Sequence, residues 1–148
     1  MSKQLERLAE FEREKEQQAA QLFQQAQLNV NQQKQKLTSL EQYKLDYIRG
    51  IQRTGQTGVS AQHYQQHLSF VGKLDKACEQ QMNVIARANM AADQRKQVWL
   101  KQQQKVKAVT LLLDKKQHAF QVKEAKAEQA MMDEFASQRF FRAKKTPF

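Results

Sequence analysis

The chain has 148 residues, a formal net charge of +10, one proline, four glycines and one cysteine. Glutamine, alanine, lysine, glutamate and leucine dominate; all are good helix formers, and the length allows a single domain. No stretch approaches about 18 consecutive apolar residues, which excludes a membrane-spanning helix, and the lone Cys78 excludes a disulfide framework and fits a reducing cytoplasm.

Met1-Ser2-Lys3-Gln4-Leu5 runs straight into a charged heptad pattern with no apolar core, so it reads as the start of a helix rather than a signal peptide. The first helix is expected from about Ser2, a possible N-cap, to about Gly50. Its seam reads Leu5, Leu8, Glu12, Lys15, Ala19, Leu22, Ala26, Val30, Gln33, Leu37, Leu40, Lys44, Tyr47 and Ile51. The spacing alternates three and four except around Ala26, where two fours meet as a stutter. A turn follows over about 51–60, marked by Gly50, Gly55 and Gly58. Ser60 is placed to cap the next helix, with Val59 packing on Tyr64 as a staple.

The second helix is expected over about 60–141, with a short C-terminal tail. Every seventh residue from Tyr64 is apolar: Val71, Cys78, Ile85, Ala92, Trp99, Val106, Leu113, Phe120 and Ala127. So sustained a row marks a helix that supercoils against a partner. Folding the chain at the glycines sets Tyr47 opposite Tyr64, Leu40 opposite Val71, Leu37 opposite Leu74, Gln33 opposite Cys78, Ala26 opposite Ile85, Ala19 opposite Ala92 and Leu5 opposite Val106. The fold class is therefore all-α: a two-helix antiparallel coiled-coil hairpin over 1–148, with a longer, overhanging C-terminal helix.

In that register the first helix is exhausted at about residue 109 of the second. The overhang still carries Leu111, Leu112, Leu113, Phe120, Val122, Met131, Met132, Phe135, Phe140 and Phe141. It amounts to about 50 Å of helix at roughly 1.5 Å per residue, and an apolar stripe of that length points to a partner site. The last third also holds 11 basic and 5 acidic residues, a surplus that suits an acidic partner, a nucleic acid or an anionic membrane face.

Catalytic and metal chemistry finds little purchase. His63 and His67 are four apart, but Tyr64-Gln65-Gln66 between them lacks the glutamate of a zinc-protease motif, and no cluster supplies a third ligand. Gly55-Gln56-Thr57-Gly58 has the bare form of a nucleic-acid-clamping loop without the strands that module needs, so it reads as a turn. Cys78 sits in the seam with no base beside it. No enzyme and no cofactor are expected. Tyr43, Leu45, Ile48 and Phe70 fall off the strict seam, so some aromatic surface near the turn is either exposed or covered by a widened seam.

Three stretches resemble the flagellar FliJ family, the stalk-like component of the flagellar type III export apparatus. They are Leu40-Glu41-Gln42-Tyr43-Lys44-Leu45-Asp46-Tyr47, the run from Tyr64 through Phe70 and Leu74 to Gln80, and Met132-Asp133-Glu134-Phe135-Ala136. The tyrosine pair and the last stretch are the specific parts. The resemblance implies a two-helix coiled coil that binds the hexameric flagellar export ATPase, contacts the cytoplasmic domain of the membrane export-gate protein and escorts export chaperones. It implies a cytoplasmic protein, peripheral to the inner face of the cell membrane at the flagellar base. By position, Leu40, Tyr43, Tyr47, Phe70, Leu74 and Ala77 match the family's gate-contact face, and Gln81 stands where the family pattern has a histidine. The overhang, with Leu113, Phe120, Met131, Met132, Phe135 and Arg139, would face the ATPase ring. Two other readings share the architecture: the equivalent stalk of a virulence secretion system, and a basic hairpin binding nucleic acid through phosphates, disfavoured because lysines and glutamates are interspersed.

Overall fold

The structure, a computed structural model, describes residues 2–56, 58 and 60–145. Two helices account for almost all of them: α1, Lys3–Gly55, and α2, Ala61–Lys145. No strand occurs among the described residues. Pro147 is the only proline, so neither helix loses a backbone donor along its length. At the start of α1 the Ser2 carbonyl accepts the Glu6 N–H at 2.8 Å, and the Ser2 hydroxyl donates to the Glu6 carboxylate at 3.3 Å. At the start of α2 the Ser60 hydroxyl oxygen accepts the His63 N–H at 3.3 Å, the N-cap to N3 bond expected of it. The proposed Val59 staple lies outside the described residues.

The expected end of α1 at Gly50 is corrected by five residues, to Gly55. One helical glycine costs about 1 kcal/mol against alanine, too little to stop a helix of 53 residues. Thr54 donates its hydroxyl to the Gly50 carbonyl at 2.8 Å, and Arg53 places a cation at the negative end of the helix dipole. The chain reverses instead at Gly58, whose φ of +82° is the left-handed conformation that a side chain disfavours. Likewise α2 passes the expected end at 141 and reaches Lys145, because Arg142-Ala143-Lys144 contains no breaker.

Contacts between the helices gather into two units, residues 15–102 and residues 1–14 with 103–148. In the first unit α1 and α2 run antiparallel. Val30, with no exposed surface, packs with Ala88, Ala92 and Ala26; Phe23 stacks on Trp99 with ring centroids 5.7 Å apart. Gln81 Nε2 donates to both the backbone carbonyl and the side-chain oxygen of Gln33, each at 2.8 Å. Ala19, Leu74, Cys78 and Gln102 complete the buried set of this unit. Ala19, Ala88 and Ala92 in that set are small, so the seam is thin at those positions.

The register differs from the expected one. Gln33 bonds to Gln81, three residues past the expected Cys78; Ala26 packs against the cluster of Val30, Ala88 and Ala92, past the expected Ile85; and Tyr47 meets His67 and Phe70, past the expected Tyr64. In these contacts the α1 residues meet α2 three or more residues further toward its C-terminus than expected. The cause is the turn. Centring the reversal on Gly58 instead of Gly55 shifts facing positions by about twice the three-residue difference. A heptad repeat accepts that slip at no cost in apolar pattern.

The stutter is also absent. The inward positions of α1 include Glu16, Ala19, Phe23, Ala26, Val30, Gln33 and Leu37, with threes and fours alternating throughout, while Leu22 faces out at 42% exposure. In the other unit Ala9 is buried and Leu8 is 43% exposed, the same phase. The seam follows the unbroken repeat and takes alanine or phenylalanine at positions where leucine stands one residue away.

In the unit of residues 1–14 and 103–148, Leu5 and Glu12 of α1 and Val106, Val109, Thr110 and Leu113 of α2 are half-buried. From Asp114 to Lys144 every residue is exposed. The overhang thus begins after Leu113, four residues beyond the expected point, as the shifted register requires.

Candidate partner-binding surfaces

The first surface lies in the unit of residues 15–102, close to the turn. Tyr47 is half-buried; its ring centroid lies 4.8 Å from Phe70 and 5.5 Å from His67. Tyr43 packs edge-on against Phe70, with centroids 6.5 Å apart, and keeps 54% of its surface exposed. Tyr43 is one residue past Gln42 and four before Tyr47, so the two tyrosines share a helix face while only the second reaches the seam. Of the residues matched to the gate-contact face, the structure brings Tyr43, Tyr47 and Phe70 into one cluster. Leu40 and Ala77 are half-buried, and Leu74 is buried in the seam with 8% exposure, so its part is to hold the face. Leu40, Tyr43 and Gln81 line a shallow open hollow with Lys36 and Ser39.

Polar contacts pin this face. The Tyr47 hydroxyl is hydrogen-bonded to His67 Nδ1. Lys44 pairs with Asp75, and that hydrogen bond holds the Lys44 ammonium above its ordinary value, against a smaller opposing effect of desolvation. Gln42 donates to the Asp46 carboxylate at 3.0 Å along the outer face. In the sequence His67 stands out only as half of a histidine pair with His63. Its role as the partner of Tyr47 depends on the register, and the signal for it is a polar residue on the apolar face three residues before Phe70. No three His, Cys, Asp or Glu side chains come together as metal ligands among the described residues.

The second surface is the exposed stretch of α2. Phe120 is 61% exposed, and Met131, Met132 and Phe135 are more so. Arg139 lies over the Phe135 ring at 5.9 Å and Lys144 over the Phe140 ring at 5.0 Å, each one turn further on. Leu113 is the exception among the six residues assigned to the overhang: it is half-buried at the end of the seam. The apolar residues do not make a single stripe. Phe120, Ala127, Met131 and Phe135 recur on one side, and Val122, Met132, Ala136 and Phe140 on the other. A helix apolar on opposite sides is built to be enclosed.

These features define a class first: an antiparallel two-helix coiled-coil protein whose distinctive chemistry is presented on exposed helix faces. Within that class, the family model described as the flagellar FliJ protein matches residues 1–145, and the chain belongs to that family. It is accordingly a component of the flagellar protein-export apparatus. Comparison with curated proteins and with solved structures returned no match. No helix among the described residues is long and apolar enough to cross a membrane.

Proposed function

We propose that this chain is a stalk-like, non-enzymatic coupling component that binds the hexameric flagellar export ATPase through the exposed part of α2 and the cytoplasmic domain of the export-gate protein through the Tyr43 face. The observation that carries the reading is the run from Asp114 to Lys144, exposed throughout yet bearing Phe120, Met131, Met132, Phe135, Phe140 and Phe141. Leaving so many large apolar side chains in water is unfavourable, by about 25 cal/mol for each Å² that a partner would cover. Family membership supports a partner within the flagellar export apparatus. The basic residues Arg139, Arg142 and Lys144 suit a carboxylate-rich ring lining.

In this reading, insertion of the α2 stretch promotes assembly and turnover of the ATPase ring. The Tyr43 face touches the gate, and the protein hands over export chaperones. It acts as one domain in the cytoplasm, gathered at the inner face of the membrane at the flagellar base. The chain makes and breaks no bond itself.

The test is the ATP hydrolysis rate of the cognate export ATPase with and without the protein, at two salt concentrations. Stimulation that disappears on truncation after Lys116 supports the reading. Absence of both stimulation and a complex removes the ATPase as partner.

A further inference from the structure

The exposed part of α2 carries an internal order that an export partner does not require. Met132, Ala136 and Phe140 are spaced four apart, so they share one face, with the small residue in the middle. All three are exposed. Charge divides at the same point. Glu124, Glu128, Asp133 and Glu134 precede Ala136 with only Lys126 among them; Arg139, Arg142 and Lys144 follow it with no acid.

A segment acidic before its midpoint, basic after it and apolar through it is complementary to itself reversed. We infer that a second copy of this chain docks on this face antiparallel, with Ala136 of each copy meeting at a two-fold axis. In that arrangement Met132 packs against Phe140 of the second copy, and the reverse contact repeats by symmetry. On one flank of the contact Asp133 comes within reach of Lys144 of the second copy, and on the other Glu128 comes within reach of Arg139, each pair occurring twice by symmetry. The alanine at the axis lets the two backbones approach closely. A parallel pair would set Asp133 against Asp133 and Arg139 against Arg139, so the charges select the antiparallel orientation. The inference goes beyond the export reading and does not depend on it, because its test uses the chain alone.

The experiment is sedimentation equilibrium of the full chain from about 1 to 100 μM, a range that brackets micromolar association. A concentration-dependent dimer is expected, and a monomer throughout the range overturns the proposal. Phe140→Glu weakens the dimer by about tenfold or more, as expected when a central apolar anchor is lost. Two charge-reversed chains, E128K/D133K and R139E/K144E, each dimerise poorly alone and pair when mixed; failure of the mixture to pair overturns the charge argument.

Orientation is read by oxidation in a Cys78→Ala background. Ala136→Cys forms an intermolecular disulfide at the axis. Met132→Cys does not, because an antiparallel pair separates the two sulfurs by about 12 Å along the helix. Equal cross-linking of both variants overturns the antiparallel arrangement. Circular dichroism of each variant, matched to the native helix content, shows that lost pairing is not lost folding.

Discussion

Val30 has no exposed surface and stands at the centre of the alanine-rich cluster, while Leu22 keeps 42% of its surface in water. Size and hydrophobicity rank them the other way, so the pair measures the phase of the seam directly. Val30→Ala should destabilise the hairpin by about 2 kcal/mol, from lost transfer energy plus a residual cavity. Leu22→Ala should cost well under half as much. Urea unfolding of the two variants checks both, and equal losses would restore the stuttered seam. Lys44 offers a second test at this scale. Its ammonium is raised by Asp75, so its contribution is complete below the ordinary lysine value and is lost as pH climbs through the raised one. Thermal melts of the native chain and Lys44→Gln should therefore differ at about pH 8 and converge in strongly alkaline buffer. A gap that persists there would assign the effect to packing of the lysine stem.

Between the helices, register is the property that a heptad pattern leaves open. Sliding α2 by seven residues returns the same apolar columns to the same faces, so apolar burial alone barely separates the two arrangements. Polar contacts separate them. Gln81 with Gln33, Lys44 with Asp75 and Tyr47 with His67 are all made in the observed register. A half-buried polar pair in a seam specifies alignment at some expense in stability. Replacing Gln33 and Gln81 together by leucine should raise the melting temperature yet admit the slipped register. Disulfide trapping reads the outcome in a Cys78→Ala background. Ala26→Cys with Ala92→Cys should cross-link in the native chain, and Ala26→Cys with Ile85→Cys only after the glutamines are removed. Trapping of the second pair with both glutamines present would show that they do not set the register.

Across the whole molecule, the two candidate surfaces lie in different structural units, so their effects should separate. Met132→Ala with Phe135→Ala should weaken binding to the export ATPase by about tenfold, the scale of losing two anchors, with helicity and gate binding unchanged. Leu40→Ala with Tyr43→Ala should do the reverse. Calorimetry against each partner decides it, and a variant that lost both partners equally would point to a folding defect. Helix content, the glycine turn and the long α2 were legible in the chain, because they are consequences of composition and period; the register and the seam phase were not. The surfaces were legible in part. Phe120, Met131, Met132 and Phe135 stand out as apolar residues with no counterpart in α1, and they are exposed. Leu74 matched the gate face equally well, yet it is buried, because position on a helix does not say which side a partner helix covers.

By itself, then, the sequence determined that the chain is two helices joined at a glycine turn, that Ser60 caps the second, and that α2 outruns α1. Each of these rests on local chemistry: propensity, a hydroxyl at a helix start, residues without a breaker. The tertiary structure decided the register, the unbroken seam phase through Ala9, Glu16 and Phe23, and the pairing of His67 with Tyr47. Those choices turn on where a reversal is centred and on which small residues allow two backbones to approach. A repeating apolar pattern is indifferent to both, since every seventh position looks alike until the second helix is in place.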